Sequence, residues 1–199
     1  MLILASASPR RQELLRNALI PFVVQASNAP EEHRPGEPPE ACVRRLAREK
    51  ASSVAGHARD DGPILAADTE VVLDLKNGIP LGKPRNADDA ARMLQMLSGR
   101  SHYVITGVCL MWKEAGKRQS RDAAETTTVF MQPISDQEIK TYIATAEPMD
   151  KAGAYAIQGV ASRWISRIEG CYFNVVGLPV PLVYRMLREH APEALGAQQ

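Results

Sequence analysis

The stretch that decides the fold is Pro63-Ile64-Leu65-Ala66-Ala67-Asp68-Thr69-Glu70-Val71-Val72-Leu73. Ile64 to Ala67 is apolar and reads as a buried strand that ends at Asp68. Val71 to Leu73 continues extended towards Lys76-Asn77-Gly78, where Asn-Gly is a hairpin signal. In α/β folds, ligands collect at the carboxyl ends of strands. A carboxylate at that place can hold a divalent cation or take a proton from water. Asp68-Thr69 is therefore a candidate site, although the residues alone fit an ordinary strand-ending turn better.

On the N-terminal side, Leu2 to Ala5 reads as a short buried strand. Ser8 suits a helix N-cap and Pro9 the first helical position, so a helix is expected from Pro9 to about Asn17, with Leu14, Leu15 and Ala18 on its apolar face. Phe22 to Gln25 reads as a second strand, and residues 28–39, rich in Pro, Glu and Gly, as a mobile loop. A helix is expected from Pro39 to Gly56, with Val43, Leu46, Ala47 and Ala51 inward and Lys50 on the same inner side.

On the C-terminal side, Asp88 to Leu97 patterns as a helix ended by Gly99. His102–Trp112 and Thr126–Met131 are β-prone, with polar Lys117–Arg121 as the tip between them. Ser135 and Glu138 form a capping box for a helix to Ala144. A loop over 145–161, a strand from Arg163 to Ile168, a loop from Gly170 to Gly177 and a helix from Pro179 to Arg188 complete the pattern, with Ala191 to Gln199 expected to fray. Interleaved strands and helices with no clean linker argue for an α/β fold over the whole chain.

The chain of 199 residues is long enough for one full domain or two small lobes sharing a core. With 45% hydrophobic and 24% charged residues it is globular rather than disordered. A formal net charge of +1 gives no global field for nucleic acid or an anionic membrane. Neither is an expected partner. No apolar run approaches the ~18 residues of a membrane span. Cys42, Cys109 and Cys171 show no paired spacing, which suggests free thiols in a reducing cytoplasm rather than a zinc site or a disulfide framework.

Four constellations carry chemistry. In Ser6-Ala7-Ser8-Pro9-Arg10-Arg11, a strand, a small-residue turn and a helix N-terminus make an anion site. Arg10 and Arg11 oppose the helix dipole there, at roughly 0.3–1 kcal/mol each, and a bound phosphate reverses that sign. Asp68-Thr69 is the second. Gly82-Lys83-Pro84 places a lysine between a permissive and a rigid residue, within reach of a phosphate oxygen. In Asp150 to Gly159, Gln158 offers a donor and an acceptor to a base edge. Glu31 and Glu32 sit in the Pro-rich loop, in reach of a metal. His33, His57, His102 and His190 have no ligand or triad spacing, and Ser6 and Ser8 lack a His-Asp pair, which rejects a serine hydrolase.

Taken in order, SASPRRQELL (Ser6–Leu15), LAREKA (Leu46–Ala51), ADTEV (Ala67–Val71), GKP (Gly82–Pro84), LSGRSH (Leu97–His102), VITG (Val104–Gly107), EPMDKAGAYAIQG (Glu147–Gly159) and NVVGLP (Asn174–Pro179) resemble the Maf nucleotide pyrophosphatases over nearly the whole chain. The resemblance implies hydrolysis of a nucleoside triphosphate between the α and β phosphates, with a divalent metal, Mg²⁺ or Mn²⁺. It implies a two-lobed α/β fold with a mixed twisted sheet and flanking helices, like that of inosine triphosphate pyrophosphatases, with the active cleft between the lobes. Asp68 matches the proton acceptor, and Arg10, Thr69 and Gln158 match the positions that mark the branch acting on dTTP and UTP. The reading gives Ser8, Arg10, Arg11, Lys50 and Lys83 to the phosphates and Asp68 with Glu31 to the metal. Where many members carry Asp-Glu in the early loop, this chain has Pro30-Glu31. The resemblance also admits a homodimer. Two alternatives remain open at this point: a purine-directed house-cleaning pyrophosphatase acting on ITP or XTP, and a non-catalytic nucleotide-binding regulator of septum formation.

Overall fold

The computed structural model describes residues 1–57, 61–76, 78 and 80–196. One six-stranded sheet runs in the order β2-β1-β3-β4-β5-β6. Its strands are β1 (Leu2–Leu4), β2 (Phe22–Val24), β3 (Ile64–Val72), β4 (Ser101–Glu114), β5 (Lys117–Met131) and β6 (Ile165–Glu169). β1 lies parallel to β2 and β3, while β3, β4, β5 and β6 pair antiparallel. The sheet is therefore mixed, as expected. The helices are α1 (Pro9–Asn17), α2 (Pro39–Ala55), α3 (Ala87–Leu97), α4 (Asp136–Ile143), α5 (Tyr172–Val176) and α6 (Val180–His190).

The strand β3 does not end at Asp68. It pairs with β4 without a break, Asp68 facing Gly107 and Glu70 facing Ile105. The strand that ends is its parallel neighbour, whose last pairing is Leu4 with Leu65. Asp68 thus sits in mid-strand, just past the carboxyl end of β1. The edge of β3 opens there because β1 has turned away into α1.

The two faces of β3 are covered differently. Ile64 and Ala66 pack with Ala47, Ala51 and Val54 of α2. Further along the same face, Val72 meets Val43. On the other face, Leu65 and Ala67 join Leu14 and Leu15 of α1 and Leu182, Val183 and Met186 of α6. Beyond them, Val71 joins Ala90, Met93 and Leu94 of α3 and Ile139 and Tyr142 of α4. Two apolar clusters therefore divide this second face, and Thr69 falls on the strip between them. The seat of α2 is unusually close. A Cβ at Gly107 would come within 2.3 Å of the Val43 backbone, so only glycine lets the helix lie that near.

Several local expectations are corrected. Ala18 is the exposed C-cap of α1, not part of its apolar face. Lys117–Arg121 is not a hairpin tip: it belongs to β5 and pairs with Leu110–Glu114, and the reversal is at Ala115 and Gly116, both at positive φ. Its polarity reflects largely exposed strand surface. Within 170–177, residues 172–176 form α5, a helix too short to show a period. Pro192–Leu195 is a 3-10 turn with Ala194 buried, so this part of the C-terminus is docked. In the hairpin signal, Asn77 lies outside the described residues, as do residues 197–199 of the expected frayed end. β3 returns no hairpin strand among the described residues, although the Leu81 amide donates to the Val71 carbonyl at 2.7 Å.

His102 gives the fold a titratable core. It is 0% exposed, its Nε2 lies 2.8 Å from the Tyr155 hydroxyl, and Nδ1 has no hydrogen-bond partner among the described residues. Burial lowers its pKa to about 4. Because the folded value lies below the unfolded one, its contribution is complete above pH ~6.5 and is lost as pH falls towards 4. The expected loss is roughly 3 kcal/mol from this residue. Urea midpoints at pH 7.5 and pH 4 check it. His102→Gln should flatten the acid fall relative to the wild type, and an unchanged difference between the two pH values refutes it.

Candidate active site

A cavity of about 420 Å³ opens where β1 leaves β3, a volume in the range of small-molecule sites. Nine residues given roles from the sequence line it, Ser8, Arg10, Arg11, Glu31, Lys50, Asp68, Thr69, Lys83 and Gln158, whereas Glu32, the other acid of the Pro-rich loop, is exposed and does not. Asp150, Lys151 and Ser27 line it as well. The walls carry the cations Arg10, Arg11, Lys50, Lys83 and Lys151 against the carboxylates Glu31, Asp68 and Asp150, so cations are in excess.

The first wall is the turn from β1 into α1. Ser8 caps the helix, its hydroxyl accepting from the Arg11 amide, and no acid occupies the first turn. The free N–H groups of that turn remain available to an anion. Arg11 folds back across the cavity floor. Its Nε donates to the Gly177 carbonyl at 2.8 Å, Nη1 to Ser6 Oγ at 3.2 Å and Nη2 to Thr69 Oγ1 at 3.1 Å. Burial lowers its basicity, while Asp68 and Glu31 act to raise it. Arg10 points the other way, with Nη1 3.4 Å from Asp150 on the far wall. The two arginines are thus not equivalent: Arg11 braces the floor, and Arg10 is partly exposed with a single carboxylate partner among the described residues.

The centre is an ion triad. Lys50, 8% exposed on α2, places Nζ 2.5 Å from Asp68 Oδ1 and 2.6 Å from Glu31 Oε1. The close seat of α2 on Gly107 makes that reach feasible, because Gly107 lies directly across the ladder from Asp68. Burial would raise the Glu31 carboxyl, but the Lys50 ammonium, with Lys83 and Arg11 behind it, outweighs burial and holds it below its usual value. Two carboxylates converging on one cation are oxygen donors of the type that hard divalent ions take.

Thr69 is fixed from three sides, by Arg11, by Thr106 Oγ1 at 2.9 Å and by the Gly177 carbonyl at 3.4 Å. The floor under it is set by Asn174, fully buried, whose Nδ2 donates to the Val104 carbonyl and to Thr127 Oγ1, both at 2.9 Å. The last wall joins two distant segments. The Gly153 amide donates to the carbonyls of Leu81 and Gly82, at 2.7 and 3.1 Å, which brings the Lys83 turn beside the loop carrying Gln158. Gly153 has φ +69, a conformation that favours glycine, and its Cβ position lies a tight 3.0 Å from the Val71 side chain. Glu147 ties this loop down, accepting from Tyr142 Oη at 2.8 Å and from the Val160 amide at 3.2 Å. Gln158 and Lys83 remain exposed at the rim.

Sequence reasoning gave no role to Lys151 or Glu70. Lys151 Nζ donates to the Glu147 carbonyl at 2.7 Å and to Asp150 at 2.6 Å, a link that no motif reports. Glu70 projects to the same face as Asp68, by the two-residue period of a strand, and is 4% exposed. Burial pushes its carboxyl up to about 7; the neighbouring Cys42 thiol opposes that shift and the charge of Asp68 adds to it.

A family model described as "Maf-like protein" matches residues 1–190. The chain belongs to the Maf family. Among similar proteins, one from Koribacter versatilis named dTTP/UTP pyrophosphatase is 54% identical over 187 residues, 94% of this chain and 93% of that one. A protein of the same name from Syntrophomonas wolfei is 49% identical over 192 residues, 96% of this chain and 98% of that one. Among solved structures, a nucleoside-triphosphatase / dITP/XTP pyrophosphatase from Mycobacterium abscessus aligns at a TM-score of 0.44 and 15% identity, over 96% of this chain and 94% of that one. No described helix is long and apolar enough to cross a membrane.

Proposed function

We propose that this Maf chain hydrolyses dTTP and UTP to the monophosphate and pyrophosphate, with Asp68 as proton acceptor. The observation that carries the reading is the Lys50 ammonium held between Asp68 and Glu31 in a cation-rich cavity. The names of the relatives support the choice of substrate.

The triphosphate lies along the cationic wall. The first turn of α1, Arg10, Lys50 and Lys83 meet its phosphate oxygens, which is electrostatic and positional catalysis. Lys50 occupies Oδ1 of Asp68, so the second oxygen is the one offered to water. That oxygen takes a proton as the water oxygen bonds to the α phosphorus. The bond from the α phosphorus to the bridging oxygen breaks, and pyrophosphate leaves. The donor set of Asp68 and Glu31 fits Mg²⁺ or Mn²⁺, which when bound supplies charge neutralisation to the phosphate oxygens. Glu31 serves there with Pro30 before it, so no second acid adjoins it on that side.

Thr69 and Gln158 face the cavity from the floor and the rim, and Arg10 from the helix. The amide of Gln158 donates to a pyrimidine carbonyl and accepts from the ring N3–H. Gln158→Glu removes the donor and adds a charge. It should reduce dTTP and UTP turnover roughly ten- to hundred-fold, the ~1–3 kcal/mol of an unpaired polar group. Unchanged relative rates over a nucleotide panel would refute the role. The function itself is tested by pyrophosphate release from purified protein over canonical and modified triphosphates, with and without Mn²⁺. Faster release from ITP or XTP than from dTTP overturns the pyrimidine assignment. Binding without release of pyrophosphate overturns the enzyme.

A further inference from the structure

Outside the Lys50–Asp68–Glu31 triad, one cluster among the described residues, with two of its three members buried, has the makings of a second cation site. His33 Nδ1, Cys42 Sγ and a Glu70 oxygen all lie within 4.8 Å of one another. They come from three elements: the loop before α2, the first turn of α2, and β3. Both Glu70 oxygens are buried and neither has a hydrogen-bond partner among the described residues. His33 Nδ1 approaches Oε1 to 3.2 Å, but outside hydrogen-bond geometry. An unpartnered buried carboxylate calls for an explanation.

The distances supply one. With Zn–S near 2.3 Å and Zn–N or Zn–O near 2.0–2.1 Å, tetrahedral angles put sulfur about 3.6 Å from nitrogen, and nitrogen about 3.3 Å from oxygen. The observed separations are 3.6 Å from Cys42 Sγ to His33 Nδ1 and 3.2 Å from His33 Nδ1 to Glu70 Oε1. We propose that His33, Cys42 and Glu70 bind a borderline-soft divalent cation of the zinc class, which fastens the 28–38 loop to α2 and β3. A thiolate, an imidazole and a carboxylate are the donors that zinc takes, and water completes the fourth position. Mg²⁺ prefers an all-oxygen set, so the two cation sites differ in chemistry. His33 is half exposed, which gives the ion a route in, and the thiol proton leaves to solvent as the ion enters. Glu31, two residues before His33, is then held facing Lys50. The site does not depend on which nucleotide the cavity hydrolyses.

The test uses the full chain, stripped with chelator, kept reduced and titrated with Co²⁺ in excess Mg²⁺. One equivalent should produce a thiolate-to-cobalt charge-transfer band and the visible bands of a four-coordinate ion. Cys42→Ser should abolish the charge-transfer band. Because Cys42 is buried, that variant is paired with His33→Ala, which alters a half-exposed side chain. His33→Ala should weaken cobalt binding by at least the roughly 10–100-fold that even an outer partner is worth. Cys171→Ser should leave the band intact. Absence of the band, its loss in Cys171→Ser, or unchanged affinity in His33→Ala overturns the proposal. Pyrophosphate release is not the readout, so failure here and failure of the nucleotide assignment are distinguishable.

Discussion

Asp68→Asn should lower kcat for dTTP by about 10²–10⁴-fold, the range that a positioned general base supplies. The substitution is nearly isosteric, and Lys50 keeps its contact with Glu31 at 2.6 Å, so the triad loses a proton acceptor without losing its frame. Arg11, Thr69 and Gly177 do not touch Asp68 through any hydrogen bond among the described residues, so the cavity floor should stay in place. The expected signature is therefore a fall in kcat with a modest change in KM. Turnover near the wild-type rate would sink the assignment. Raising Mg²⁺ or Mn²⁺ in the same assay separates two roles for the carboxylate. Recovery at high metal points to a ligand whose loss weakens the ion. No recovery points to a base acting on water itself, since an amide cannot take the proton at any metal concentration.

What the sequence disclosed was local chemistry, and what it withheld was the geometry that long-range packing imposes. The helix α1 was legible because Ser8 and Pro9 state their roles within one turn. The capping box of Ser135 and Glu138 was legible for the same reason, and both its bonds are present. The end of β3 was misread because Asp68, Thr69 and Glu70 look like the polar finish of an apolar strand. They remain in the ladder because β4 pairs along the whole length, and their side chains meet the triad, the cavity floor and a buried cluster instead of solvent. The candidate residues could be named but not placed. Nothing near Lys83 says that Gly153 will hold its turn beside Gln158, and nothing near Arg11 says that it will lie against Gly177. His33, Cys42 and Glu70 follow no ligand spacing, since a loop, a helix and a strand bring them together. Histidines and cysteines judged singly gave no reason to group them.

Lys50→Met should be nearly as damaging as the loss of Asp68, and for a separable reason. The lysine is 8% exposed and is the cation between two carboxylates. Removing a preorganised charge partner of the phosphates should cost ~3–4 kcal/mol in the barrier, or about 10²–10³-fold in kcat/KM. The same change leaves Asp68 without its ammonium, close to buried Glu70 and to Glu31. Breaking a buried pair by removing one partner typically costs ~3–5 kcal/mol, and here the open cavity beside Asp68 should bring the loss towards or below the lower end. A melt should therefore show a lower Tm for Lys50→Met than for Asp68→Asn. The double variant Lys50→Met with Asp68→Asn removes both charges at once. It should recover part of the lost Tm and none of the lost activity. If the double variant is no more stable than Lys50→Met alone, the instability comes from packing along α2 and not from an uncompensated carboxylate. If Lys50→Met retains full kcat/KM, the lysine is a structural tether for Glu31 and has no part in meeting the phosphates.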